Sequence, residues 1–320
     1  MNPDITVIVP YHNEKESIEF TLERVGGQTL PAKAAIFVNS SSTDDTFDVV
    51  DNWIRKNQHK FPTRFFNIFE NTDNPASSKN AGIRRASTDW IAFMDCGQNF
   101  QKDWLELQLR RAQETGANVV SGVVYLTGEN WIDRCATVQT YGYKRLRPCL
   151  PTSLIRRSVF EKTGLLTERR RAGYDAAWLI RLKKLGLHRE INYGVVISYI
   201  GTNFARTLAQ VFRKSMLYAK ASVGLEGYHV PYLYAVMSAL FLVVLVNSAA
   251  VASFMFLLYF LARTFVLPIW KSRNVAFFRE HPFEALLGSG IIGAIIDLGR
   301  LLGTWQGIHC HYLKGRPTNA

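Results

Sequence analysis

The chain has 320 residues, 48% of them apolar, and Lys plus Arg exceed Asp plus Glu by 38 to 26, for a formal charge of +12. That length leaves room for one catalytic-sized domain and something beyond it, and the charge suits an anionic partner or the basic cytoplasmic flank of a membrane protein. Four scattered cysteines, none in a CxxC pair, argue against a disulfide framework or a cysteine metal site and fit a reducing compartment.

Residues 5–10 read as the first strand, closed by Pro10, which has no N–H for a sheet ladder. The polar turn Tyr11-His12-Asn13-Glu14 follows it, at the strand end where open α/β sheets bind ligands. Residues 16–27 predict a helix, with Ile18, Leu22 and Val25 on one face. Then come a strand at 34–39, a helix at 43–57, a strand at 65–70, a helix at 75–86 started by Ser77 and Ser78, a strand at 90–95, a helix at 104–115 and a strand at 119–127. This βαβα order predicts an α/β fold, a mainly parallel, Rossmann-like sheet covered by helices.

Beyond residue 199 the chemistry changes. Residues 208–221 form a basic amphipathic stretch with Arg213, Lys214 and Lys220. Residues 231–270 are almost wholly apolar, broken mainly by Asn247-Ser248 and Arg263. Spanning a bilayer takes roughly 20 helical residues, so this length predicts a transmembrane hairpin, with one long tilted helix as the alternative. Basic residues on both flanks put both flanks in the cytoplasm. Residues 283–308 are Gly-rich and carry Glu284, Asp297 and Arg300, which favours an interfacial or packed helix over a third span. Residues 314–320 read as a disordered tail, and residues 1–30 do not read as a signal peptide. The expected division is a catalytic domain over 1–205, a basic connector over 206–230, the hairpin over 231–270 and a membrane-associated helix and tail over 271–320.

Four polar clusters fall at expected strand ends: Pro10-Tyr11-His12-Asn13-Glu14, then 39–46 (Asn-Ser-Ser-Ser-Thr-Asp-Asp-Thr), Ser77-Ser78-Lys79-Asn80-Ala81-Gly82, and Asp95-Cys96-Gly97-Gln98. Singly, each is a helix cap or a turn. As an ordered set, with Gln28-Thr29-Leu30-Pro31 after the first helix, they resemble the opening of the family-2 glycosyltransferases of GT-A fold, over roughly residues 4–200.

The resemblance implies roles. Pro10, Tyr11 and Glu14 should border the base and ribose of a nucleotide, with Ser41 and Tyr174 counted among the binding residues. Asn39 stands where an acid usually reads the base. Lys79 replaces an arginine facing the diphosphate, keeping the charge without the bidentate fork. Asp95 should lie beside the ribose and a divalent cation, Mg²⁺ or Mn²⁺. Gly97 removes the second acid of the Asp-x-Asp turn, so substrate phosphates and waters would complete the ligand set. Asp175, opening an apolar helix in Gly173-Tyr174-Asp175, is the candidate general base for an inverting transfer, and a helix cap is the compatible bland reading. Arg169, Arg170 and Arg171 could draw a diphosphate or lipid phosphate, or be a solvated loop. Gln210 and Arg213 lie where processive synthases of the family carry Gln-x-x-Arg-Trp, but Lys214 stands in the place of the tryptophan, which argues against processive synthesis. His309-Cys310-His311 reads as incidental, since three adjacent ligands cannot easily close one tetrahedral site.

The first reading is therefore a membrane-anchored, non-processive glycosyltransferase. It would pass a sugar from a nucleotide-diphosphate sugar to a lipid-linked or cell-envelope glycan acceptor at the cytoplasmic face of a bacterial inner membrane, in polysaccharide biosynthesis. The second is a catalytically impaired relative that binds nucleotide sugar or acts as a scaffold in a glycan-assembly complex. A small transporter fits poorly, since a Walker A loop is lacking, and nucleic acid is not an expected partner.

Overall fold

The computed structural model describes residues 4–72, 74–168, 172–199, 201–225 and 227–313; Arg169, Arg170, Arg171 and the tail at 314–320 lie outside the described residues. The chain divides into two compact units. One holds residues up to Tyr125, then Leu146–Arg170 and Tyr174–Ile200; the other holds Leu126–Arg145, Arg171–Gly173 and Gly201–Ala320. Segment 126–145, expected inside an unbroken 1–205 domain, thus belongs to the C-terminal unit.

The first unit is a mixed α/β domain. Its strands are β1 (Ile5–Tyr11), β2 (Ala34–Ser40), β3 (Arg64–Glu70), β4 (Trp90–Phe93), β5 (Gln98–Asn99), β6 (Val119–Val124), β7 (Arg147–Pro148), β8 (Leu154–Arg156) and β9 (Arg189–Tyr199). They run β3-β2-β1-β4-β8-β6-β9-β5, with β7 on β6. The first four are parallel, as the alternation of elements requires, and β6 and β9 are also parallel, whereas β8, β7 and β5 join antiparallel. Helices α1 (Ile18–Gly26), α2 (Thr46–Asn57), α3 (Pro75–Arg85), α4 (Trp104–Thr115), α6 (Arg157–Thr163) and α7 (Tyr174–Lys184) belong to this unit, α5 (Trp131–Thr140) to the other. A core of Ile8, Ile36, Val38, Phe93, Ile155 and Trp178 fills this half.

Pro10 does not end β1, which runs on through Tyr11. The Ile8 carbonyl accepts from Met94 N and the Ile5 carbonyl from Lys33 N, so even-numbered residues of β1 face β4 and odd ones face β2. Pairing with β4 stops at Ile8–Phe93. Pro10 therefore turns its missing donor to a side with no strand left to bond. Helix α3 also starts differently from expectation: Asn74, not Ser77 or Ser78, is the N-cap, its Oδ1 accepting from Ala76 N at 2.9 Å, with Pro75 at the first position. A Cβ on Gly82 would lie 2.5 Å from Ile8 Cγ2, so glycine there lets α3 lie close on β1.

The C-terminal unit is helical: α5, α8 (Leu208–Ser222), α9 (Val230–Asn247), α10 (Ala249–Ser272), a short helix at Ala276–Glu280, and α11 (Glu284–Tyr312). Three helices, α9, α10 and α11, are long and apolar enough to cross a membrane. The last exceeds the packed helix expected there in length, while being the most buried of the three. Ser248 breaks α9 from α10 with an extended backbone and caps α10. Tyr234 of α9 and Tyr259 of α10 both reach Asp297 at 2.8 Å, so the two helices fold back as a hairpin against α11.

Glycines decide how α11 sits. Cβ atoms at Gly299, Gly303 and Gly307 would lie 2.7, 2.1 and 2.7 Å from Phe212 O, Met216 O and Val223 Cγ2, so this four-residue repeat brings α11 backbone-to-backbone with α8. The basic stretch is accordingly two-sided. Val211, Ser215 and Ala219 are buried and Arg213 is exposed, while Lys214 bonds the Phe204 carbonyl at 2.9 Å. Burial holds the Lys214 ammonium below the usual lysine range, opposed by Asp133.

Candidate active site

The sheet positions the site by register. Tyr11 pairs with Asn39 and Asn39 with Phe69, so β1, β2 and β3 end level with one another. Asp95 lies two residues past the last β1–β4 pair, as Pro10 does. The loops after β1 and β2 are sewn together: Asn13, in left-handed backbone (φ 55°), accepts from Thr43 N at 2.8 Å and donates its own N–H to Ser42 Oγ at 3.0 Å, and Glu14 N donates to Thr46 Oγ1 at 3.0 Å. Asn13 is one of the residues that short-range patterning leaves out of the binding set; its place in the Asn-Glu turn was its only signal.

Lys79 is 1% exposed and its Nζ lies 2.7 Å from Asp95 Oδ1. It also sits 5.8 Å from the centroid of the Tyr174 ring. Burial alone would pull the ammonium down, but Asp95 and Tyr174 outweigh it, so Lys79 stays charged well above the usual lysine range. Burial pushes the Tyr174 phenol up to about 12, with Lys79 opposing. The pair is neutral overall. Lys79, expected to face a diphosphate, is thus paired with Asp95 in this structure.

The Asp95 turn is built from local bonds. Gln98 Oε1 accepts from Asp95 N at 3.1 Å, and Gly97 is left-handed (φ 74°), a conformation that favours glycine at the place of the absent second acid. Cys96 is a thiol at neutral pH, its group pushed up to about 11 by burial and by Glu14. Glu14 accepts from Ser17 Oγ at 2.5 Å. Burial raises its carboxyl above the usual glutamate range, and Asp95 and Asp44 add to this against the Ser17 bond.

The remaining residues divide. Tyr11 is buried and its hydroxyl donates to Asn67 Oδ1 at 2.7 Å, so it offers the site a ring edge rather than a free phenol. Asn39 Oδ1 accepts from Ser42 N at 2.8 Å, which leaves its Nδ2 as the group able to meet a ligand. Ser41, left-handed at φ 53°, donates to Glu70 O at 3.3 Å. Asp175 lies in the first turn of α7, and its Oδ1 accepts from the neighbouring Ala176 N at 2.9 Å. Gln210 and Arg213 lie in the other unit, on α8. There Thr207 caps the helix, its Oγ1 accepting from Gln210 N, and Gln210 Oε1 accepts from Arg206 N. Arg171 is outside the described residues.

The described residues contain no group of three or more His, Cys, Asp or Glu side chains able to hold a metal. Asp95 Oδ2 is an oxygen that could meet a hard cation, since Oδ1 is held by Lys79. That fits a cation arriving with a phosphate-bearing substrate better than a resident ion.

Residues 6–164 match the family model described as "Glycosyl transferase family 2". The glycosyltransferase AglE of Haloferax volcanii is 23% identical over 235 residues, covering 69% of this chain and 73% of that one. TuaG of Bacillus subtilis, whose name provisionally ties it to teichuronic acid biosynthesis, is 31% identical over 113 residues, 35% of this chain and 43% of that one. Among solved structures, the mannosyltransferase PcManGT from Pyrobaculum calidifontis, in complex with GDP-Man and Mn²⁺, superposes with a TM-score of 0.58 at 16% identity, over 94% of this chain and 88% of that one. The domain over residues 6–164 belongs to glycosyltransferase family 2. The chain is a glycosyltransferase with a GT-A sheet domain followed by three apolar helices.

Proposed function

We propose that this glycosyltransferase moves a sugar, with inversion, from a nucleotide-diphosphate sugar to a hydroxyl or phosphate of a lipid-linked or cell-envelope glycan acceptor, at the cytoplasmic face of a membrane that its apolar helices enter. The observation that carries this reading is the Lys79–Asp95 pair at the level where β1 and β2 end, with the second Asp95 oxygen unbonded among the described residues.

The base and ribose would lie along Pro10, Tyr11, Asn39 and Ser41, with Glu14 at their rim. Asp95 would face the diphosphate, and a divalent cation bound there would offset the charge of the leaving nucleoside diphosphate. Lys79 holds Asp95 in place rather than touching phosphate itself. Asp175 would take the acceptor proton while the acceptor oxygen bonds the anomeric carbon and the carbon–oxygen bond to phosphate breaks. Its Oδ1 accepts from Ala176 N, so Oδ2 would be the proton-accepting atom.

A screen of nucleotide sugars against the full chain in detergent, with and without Mn²⁺, tests the reading. One donor should bind, and transfer should fall by about 10²–10⁴-fold in Asp175→Ala with donor affinity kept. Asp95→Ala should lose donor binding. A donor that binds without any transfer or hydrolysis in the wild type would favour the scaffold reading, and unchanged activity in both variants would overturn the site.

A further inference from the structure

The site contains a cation that the proposed chemistry leaves unused. Arg189 opens β9, and its Nε donates to Ser121 Oγ at 3.1 Å. Ser121 and Ser153 are both buried, their hydroxyls 2.7 Å apart, and the Ser153 carbonyl accepts from Phe93 N at 3.0 Å. This chain of bonds links the guanidinium to Phe93 at the end of β4, two residues before Asp95. Cys149, whose carbonyl accepts from Ser153 Oγ at 3.1 Å, feels both Asp95 and Arg189; Asp175 acts on Arg189 and on Tyr174. Lys79, Asp95, Cys149, Arg189, Asp175 and Tyr174 therefore form a ring in which each acts electrostatically on the next.

The charges on that ring do not all cancel locally. Lys79 and Asp95 neutralise each other. Cys149 and Tyr174 are uncharged at neutral pH, each pushed up to about 12 by burial. Arg189 and Asp175 remain, and among the described residues they share no ion pair. Arginine has five N–H donors, and here one is used. Burial holds Arg189 below the usual arginine range, with Cys149 and Asp175 opposing. A guanidinium serving the fold alone looks different: in the helical unit Arg134 grips Glu284 with two bonds, at 2.8 and 2.6 Å. A half-buried guanidinium with one edge anchored and the other unbonded is suited to take a planar or tetrahedral oxyanion bidentately.

We propose that Arg189 binds an oxyanion of the substrate beside Asp175, either a carboxylate on a sugar or a phosphate on the acceptor, through the guanidinium edge that Ser121 leaves open. This rests on the glycosyl-transfer reading above and narrows it to an anionic substrate. Arg189 is then a holder that orients the acceptor against the base, the role that Lys79, tied to Asp95, cannot perform.

The test uses the full chain in detergent and follows its melting temperature against inorganic phosphate, glucuronate and, as neutral control, glucose. One or both anions should stabilise the wild type; phosphate alone points to the acceptor phosphate, glucuronate alone to a sugar carboxylate. The apparent affinity should weaken roughly tenfold or more in Arg189→Gln and less in Arg189→Lys, which keeps the charge without the fork. If Arg189→Gln does not fold, Arg189→Lys against the wild type carries the comparison. No response to either anion, or an equal response in wild type and variants, overturns the proposal. Donor binding in Asp95→Ala reports separately on the nucleotide site, so the two failures are distinguishable.

Discussion

Each unit buries a cation against a carboxylate, and the two pairs are finished differently. In the sheet domain Lys79 is inaccessible, but Asp95 keeps 30% of its side chain exposed and one oxygen unbonded among the described residues. In the helical unit Asp297 is saturated: Tyr234, Tyr259 and Arg263 Nε all bond it, at 2.8, 2.8 and 2.6 Å, and Arg300 lies 3.5 Å away. Arg263 is closed off as well, with NH1 on Gln139 Oε1 at 2.8 Å. In an apolar setting, unsatisfied charge is expensive, so a network that serves packing spends every donor and acceptor. A carboxylate that serves a substrate must keep some capacity in reserve. The difference separates a clamp from a site, although both begin as one acid beside one base.

Breaking each pair should therefore give different results. Asp297→Asn leaves Arg263 buried without its counter-charge, and stability in detergent should drop by about 3–5 kcal/mol; pairing it with Arg263→Gln should recover much of the loss. Asp95→Asn, relieved by water on its open side, should cost less, on the order of 1–3 kcal/mol, while activity collapses. Equal thermal losses for the two would remove the distinction. Packing supplies a middle-sized effect. Gly303→Val would drive a side chain into the Met216 carbonyl, and overpacking of this kind costs about 1–3 kcal/mol or more; a melting curve of the variant close to that of the wild type would show that α8 and α11 do not pack so closely.

The smallest effect is one of pH. The Glu14 carboxyl titrates above its unfolded value near 4.5 because burial disfavours its charge. The folded state thus takes up its proton before the unfolded state does, and this group contributes increasing stability as pH falls from its raised value towards 4.5. Glu14→Gln should flatten that slope and leave the rest of the pH profile intact. A profile unchanged by the substitution would place Glu14 in water, like an ordinary surface acid.

Much of the fold was legible because periodicity is local. The strands at 5–11, 34–40 and 64–70 and the helices between them follow from short apolar patterns. The four polar clusters were also visible, since turn residues announce strand ends. Less legible was what each side chain would bond. Lys79 carries a charge in any sequence, but only α3 lying on β1 through Gly82 brings it to Asp95. Gln210 stood out by the family resemblance, and only the structure shows its Oε1 accepting from Arg206 N at the start of α8. Arg189 had no signal at all, because its partner Ser121 is distant in sequence and meets it only where β6 pairs with β9.

The sequence by itself determined the order of elements, the apolar C-terminal helices and the family motifs, since these depend on residue type at short spacing. Tertiary structure decided which charges are spent and which are free. It also moved residues 126–145 into the helical unit and set α11 against α8 through Gly299, Gly303 and Gly307. The physical reason is common to all three outcomes. A charge or a glycine acquires its meaning from the atoms within a few ångströms, and most of those atoms come from distant parts of the chain.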